Sequence, residues 1–216
     1  MSGTFTFDGR PVHPDCAEAA RDAARLLESL GHAVEPFRPQ ADHEGMIRAW
    51  VDIVAAGTAQ GVRKALAGRP PEGLVEPVIR GALAHAATLS AEDHVAAIAR
   101  IHAYGREMAA AFAGIDVLLS PVMAEPPALV GRFAHRTDDY VAYRLGPDGI
   151  WPYSPFCTAF NASGQPAASV PLHWSADGLP IGVHLAAPFG EDEALIALCR
   201  ELELARPWFG RRPPLD

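Results

Sequence analysis

Of 216 residues, 49% are hydrophobic and 20% charged, a balance that supports a buried core and excludes a disordered or fibrous chain. Eighteen Lys and Arg against 26 Asp and Glu leave a net charge of -8, the wrong sign for holding nucleic-acid phosphates or an anionic membrane surface. The longest apolar stretch, 108–119, is broken by Asp116 and falls well short of the roughly 20 residues that span a bilayer.

Residues 1–8 carry neither a basic segment nor an apolar one, so no secretory signal is read there and a cytoplasmic location is expected. The first helix is expected after Val12-His13-Pro14-Asp15, because Pro14 suits a first helical position and Asp15 and Glu18 suit the positive helix end. Cys16, Ala19, Ala20, Ala23, Leu26, Leu27 and Leu30 recur at helical spacing, and Gly31 supplies the stop. Residues 33–37 read as a short strand. Between 42 and 112 the chain is rich in alanine and broken near Gly68-Arg69-Pro70-Pro71 and Thr88-Leu89-Ser90, which fits three helices. Ser90 can cap the last of them, with Glu92 and Asp93 in its first turn.

The apolar run Ile115-Asp116-Val117-Leu118-Leu119, closed by Ser120-Pro121, reads as a buried strand that can pair in parallel. Residues 125–153 show neither helical nor strand periodicity, carry Pro126, Pro127 and Pro147, and read as a long loop. Residues 167–174 and 179–186 are strand-like runs joined through Asp177-Gly178, a pair suited to hairpin turns. After Gly190, three acids open a final helix that packs Leu195, Leu198 and Leu202 inward and ends before Pro207. The expected fold class is α/β, a mixed β-sheet with helices packed on it. One unit over 1–216 is expected, with the helices of 42–113 inserted between sheet elements.

Few residues here are arranged for chemistry. Cys16, Cys157 and Cys199 are scattered, odd in number and never paired as CxxC, which fits reduced thiols that bind no metal. His85, His94 and His102 lie nine and eight residues apart and so miss the i, i+4 spacing of a helical zinc site. They read as surface or interhelical histidines. No phosphate-cradling GxxxxGK[ST] or GxGxxG occurs, and no cofactor is expected. The segment Ala162-Ser163-Gly164-Gln165-Pro166 lacks the first glycine of the GxSxG nucleophile motif, so Ser163 reads as a turn residue. The chain holds one lysine, Lys64, beside Arg63 on a helix, and it reads as a surface charge. Cys157 sits in the aromatic run Phe156-Cys157-Thr158-Ala159-Phe160, which would raise a thiol's pKa and favours a small buried hydrophobe. Asp138-Asp139 and Glu191-Asp192-Glu193 read as solvated or capping acids.

Several segments together resemble the amidase signature family. Phe160-Asn161-Ala162-Ser163-Gly164-Gln165-Pro166-Ala167-Ala168-Ser169-Val170-Pro171 is followed, in the family's order and spacing, by Asp177-Gly178-Leu179-Pro180-Ile181-Gly182-Val183-His184-Leu185 and by the acidic-start helix. Leu118-Leu119-Ser120-Pro121-Val122 and Gly9-Arg10-Pro11-Val12-His13-Pro14-Asp15 match further family segments. The Trp50-to-Thr58 stretch and the ending Arg206-Pro207-Trp208 with Arg211-Arg212-Pro213-Pro214 resemble the bacterial branch that acts on aryl amides and cyclic amides.

That resemblance implies a carboxylic-amide hydrolase working through a lysine, a bridging serine and a nucleophilic serine from a Gly/Ser-rich signature, without a cofactor. No such signature occurs in this chain and Lys64 stands in a different context, so the resemblance places no catalytic residue here. It implies instead the C-terminal part of the fold, contributing sheet, helical cover and pocket walls. By family position the walls would include Trp50 and Gly57 from one helix and Phe156, Cys157, Phe160 and Asn161 from another segment. The implied partners are a small-molecule amide, and the missing N-terminal half or a homodimer mate. The chain alone is then expected to hydrolyse no amide. Two readings from other classes stand beside this one: a non-catalytic assembly module reusing the half-fold, and a small independent enzyme using Cys157 or Ser163. In the same segments, Asn161 and Gly164 can close a helix, Pro166 stops it, and Gly182 leaves a strand position bare for a close approach by another backbone.

Overall fold

The computed structural model describes residues 6–211. Arg212-Pro213-Pro214 of the C-terminal motif, and the first five residues of the stretch read for a signal, lie outside them. The order is α1 (Pro14–Ser29), α2 (His43–Leu66), α3 (Pro77–Thr88), α4 (Ala91–Ala111), β1 (Leu118–Pro121), α5 (Tyr140–Leu145), α6 (Ile150–Tyr153), α7 (Pro155–Ser163), β2 (Ala167–Trp174), β3 (Pro180–Ala186) and α8 (Asp192–Ala205).

Helix ends follow the sequence closely. At the end of α1 the Gly31 amide donates to the Glu28 carbonyl and the His32 amide to Leu27, with Gly31 at φ +98°, the left-handed geometry that glycine adopts without a Cβ clash. Three helices occupy the alanine-rich middle. Asp42 caps α2 by accepting from the Gly45 amide at 2.8 Å, and α4 opens with a reciprocal box between Ser90 and Asp93.

The strands pair in the order β1-β3-β2, antiparallel at both seams. This is narrower than the mixed sheet expected, and the strand at 118–121 is antiparallel to β3. Residues 33–37 form no strand: they are largely exposed and have no ladder partner among the described residues, and β structure needs a ladder to satisfy its amides. The segment 125–153 also departs from a plain loop, since α5 and α6 interrupt it. Asp139 caps α5, accepting from the Ala142 amide at 2.9 Å.

Helix α1 packs on all three strands, and α8 packs on β2. Asp22 of α1 ties these layers together: its carboxylate accepts from Arg206 at the end of α8, while His173 of β2 stands 3.6 Å away. Burial works to raise the Asp22 pKa, but the Arg206 hydrogen bond and charge bring it below the usual carboxylate range. On the other side α7 joins the sheet to the long helices, with Phe160 of α7 edge-on to His184 of β3, Phe112 and Phe7.

One large apolar cluster runs through α1, α4, α7 and the sheet, including Cys16, Met108, Phe156, Leu172 and Leu185. A separate small cluster joins Val51 and Ala55 of α2, Val78 and Ala82 of α3, and Tyr140 of α5. The Tyr140 hydroxyl donates to the Val51 carbonyl at 3.2 Å. No helix among the described residues is long and apolar enough to cross a membrane.

Candidate functional site

A cavity of about 350 Å³ lies between α7 and the sheet. Its position follows from local chain chemistry. Pro155 starts α7, and Gly164 ends it at φ +76° with its amide donating to the Phe160 carbonyl at 2.9 Å. Pro166 then turns the chain into β2. The helix is therefore held one short turn away from the strand that follows it.

Helix α7 presents Cys157, Phe160 and Asn161 to the cavity. Cys157 is half-buried, its thiol donates to the Val122 carbonyl at 3.5 Å, and burial raises its pKa. It is not an activated nucleophile. Phe160 is 3% exposed and forms a wall, while Asn161 is exposed at the rim. Of the other three wall residues expected from family position, Phe156 is buried in the core edge-on to Phe7, Trp50 is half-buried on α2, and Gly57 lies exposed on that helix. The cavity brings together Cys157, Phe160 and Asn161 and does not include these three.

The sheet supplies a polar row that no sequence motif marks. Ser120 of β1, His184 of β3 and Ser169 of β2 are direct partners across the two ladders, so their side chains share one face. Ser120 Oγ donates to the Pro121 carbonyl at 3.0 Å and stands 3.4 Å from His184 Nδ1. His184 is 5% exposed, and burial drives its pKa down to about 4, so the ring is neutral at physiological pH. Gln165 closes one end: its amide donates to the Ala187 carbonyl at 3.3 Å, and its Oε1 accepts from Ser163 at 3.0 Å.

Gly182 stands two residues from His184 on the same face. A Cβ there would lie 2.8 Å from Val122 Cγ2 and 2.9 Å from Ser169 Oγ. Side chains, not the second backbone expected from the sequence, approach this glycine. The missing Cβ leaves Val122 and Ser169 room beside His184.

Elsewhere, Lys64 is exposed on α2, and His85 makes an interhelical contact to Asp52 at 2.7 Å. Among the described residues no group of three His, Cys, Asp or Glu side chains is placed to hold a metal ion. A wider groove runs along α8 past Leu30, Ile196 and Leu204, but no nucleophile and base converge in it.

The helical layers, the antiparallel sheet and the cavity beside the serine-proline strand make up the scaffold, and comparison with known proteins assigns it to a family. The chain belongs to the amidase family, whose model, described as "Amidase", matches residues 3–196. It is 31% identical, over 99% of its own length, to a 6-aminohexanoate-cyclic-dimer hydrolase of Pseudomonas sp. (strain NK87), of which it covers 44%. It is 33% identical, over 92% of its length, to the putative amidase AmiC of Mycobacterium leprae (strain TN), of which it covers 42%. The structure of a 6-aminohexanoate cyclic dimer hydrolase complexed with substrate superposes with a TM-score of 0.83 at 28% identity, over 99% of this chain and 47% of that one. A bacterial aryl acylamidase of the amidase signature family shares the fold, with a TM-score of 0.73. The chain thus spans less than half the length of the relatives it matches.

Proposed function

We propose that this chain is the C-terminal part of a bacterial, cytoplasmic amidase that hydrolyses a carboxylic amide, and that the nucleophile and its base come from sequence outside these residues. The observation that carries this reading is the match of 99% of the chain to 44% of a cyclic-amide hydrolase. The inventory of side chains agrees with it. Ser163 is engaged with Gln165, the Cys157 thiol is held protonated, and Lys64 is exposed, so none of these three is set up as a nucleophile or its base.

In this reading the chain folds as one unit, and its contribution is the cavity between α7 and the sheet. Cys157, Phe160 and Asn161 form the wall of the substrate pocket, and Ser169 and His184 of the polar row form its floor. Catalytic groups would approach from the side of β2 that has no strand beside it.

The test is to mix the purified chain with the N-terminal remainder of the Pseudomonas hydrolase and follow nitroaniline release from 4-nitroacetanilide. Release is expected from the mixture and not from the chain alone. Release by the chain alone, unchanged when the remainder is added, overturns the proposal. Should Cys157→Ala or Ser163→Ala abolish that release, the independent-enzyme reading takes its place.

The unpaired edge of β2 favours one other reading, an assembly module that adds its sheet to another chain. Sedimentation across a hundredfold range of concentration separates the two. A dimer that forms reversibly, in a chain that gains no hydrolysis with the complement, supports the module.

A further inference from the structure

Helix α8 is apolar on two sides. Leu195 and Leu202, both buried, pack toward the sheet. The opposite side carries Ile196 and Leu204, 68% and 73% exposed, along a groove that Leu30, Glu193, Ala197 and Arg200 also line. A surface helix ordinarily turns polar side chains to water, and a contiguous exposed apolar stripe marks a face that another molecule covers.

The stripe has an internal symmetry. Glu193 and Arg200 stand two helical turns apart on one face, separated by about 10 Å along the axis, with Ile196 and Ala197 midway between them. Both charges are exposed and neither has a side-chain partner among the described residues, whereas the neighbouring Glu201 is engaged by His32 at 3.1 Å. When a second α8 is turned end for end about the point between 196 and 197, each Glu193 falls opposite Arg200 of the partner subunit. The two copies of Ile196 then meet on one side of the axis and the two copies of Ala197 on the other, and Leu204 extends over the first turn of the facing helix. A two-fold interface must be complementary to itself, and this arrangement sets opposite charges around an apolar centre with no other surface required.

We propose that the outer face of α8 is a homodimer interface, in which two copies of this chain pack α8 antiparallel about a two-fold axis at Ile196 and Ala197. The occupant is a second copy and not an added strand: the stripe lies on the side of α8 away from the sheet, whereas a chain that extends the sheet joins at the open edge of β2. One 14-residue helix from each copy covers less than the roughly 1,600 Å² of a standard interface. The association is therefore weak and depends on concentration in the micromolar range.

Sedimentation equilibrium of the whole chain over a thousandfold range of concentration should show a reversible monomer–dimer equilibrium. Glu193→Arg sets like charges against Arg200 of the partner subunit, and Arg200→Glu does the same against Glu193, so each should weaken the dimer about tenfold or more. The decisive sample is an equimolar mixture of these two variants, which restores both opposite-charge contacts and should dimerise about as tightly as the wild type. Ile196→Lys brings two cations together at the axis and should abolish the dimer, a disruption that does not depend on the charged pair; far-UV circular dichroism checks that each variant is folded. A wild-type chain that stays monomeric throughout, a dimer that survives Ile196→Lys, or a mixture no tighter than its components overturns the proposal. A dimer indifferent to all three substitutions also overturns it and moves the association to another face, such as the β2 edge. Separation of the dimer by the N-terminal remainder of the Pseudomonas hydrolase overturns it as well, because the stripe then belongs to that remainder. The readout here is mass and not hydrolysis, so this inference and the amidase reading can each fail while the other stands.

Discussion

The two apolar clusters of this protein are built from different materials. The large one fills the space between α1, α7 and the sheet with Phe156, Leu172, Leu185 and Met108, each at most 2% exposed, and admits polar groups in only a few places. The small one, between α2, α3 and α5, buries Val51, Ala55, Val78, Ala82 and Tyr140, with Ile79, Tyr143 and Leu145 half-buried against it. Small side chains bring helices close and bury little area, so the first region supplies stability and the second depends on close fit. The cavity stands in the first region. Its geometry is therefore set by the larger of the two packed cores.

The sharpest way to break this contrast is Phe156→Ala. The ring packs edge-on to Phe7, and its loss should cost about 3–5 kcal/mol in denaturant unfolding. Val78→Ala in the small cluster, which removes two buried methyl groups, should cost about 2 kcal/mol. Comparable losses at both sites would mean that the two regions do not differ.

Acid should act next, and on the sheet side. The unfolded His184 ring titrates near pH 6.5 and the folded one near 4. Above the higher value both states are neutral and stability is complete. As pH falls toward 4 the unfolded chain takes up a proton that the folded chain refuses, so stability declines, by about 3 kcal/mol in all. The carboxylates held below their ordinary range, such as Asp22, are lost only at lower pH still. Unfolding midpoints measured from pH 7 to 4 should fall for the wild type and fall less in His184→Gln, the remainder coming from His43, whose ring burial also holds below its ordinary range.

Gly81→Ala sharpens the comparison from the other side. Alanine favours a helix over glycine by about 1 kcal/mol, but a Cβ at this position of α3 would sit 2.0 Å from the Asp138 carbonyl oxygen. The segment before α5 must move away, at a net cost of about 1–3 kcal/mol. Amide exchange should speed up in α3 and α5 and stay unchanged in α7 and β3. The smallest effect belongs to Ser90→Ala, which removes the α4 capping box and should cost about 1 kcal/mol, read as a shift in melting temperature.

The longer helices were legible because their stops and starts are local chemistry. Pro14, Gly31, Ser90 and Gly164 each act on the backbone within a few residues of themselves, whereas α5 and α6 are too short to show a period and were read as loop. The failed strand at 33–37 had a local pattern as well, but a strand is completed by a partner that no local pattern supplies. The polar floor of the cavity was hidden for a related reason. From the turn, Trp174 faces Pro180 and His173 faces Ile181, and that register continued unbroken would set Ser169 opposite Leu185. An irregularity between Val170 and His173 shifts the ladder by one residue and brings Ser169 opposite His184. A one-residue shift moves every later side chain to the other face, and nothing in the alternation of 167–174 announces it.

That same irregularity governs how the chain would behave while being made in a cell. An open strand edge is a template for fibrils, which require an unbroken backbone ladder repeated from molecule to molecule. Pro171 offers no amide to such a ladder and the shift around it bends the strand, so at most the short stretch 167–170 could recruit a copy of itself. An edge this short gives a newly synthesised chain little ladder on which to propagate a fibril.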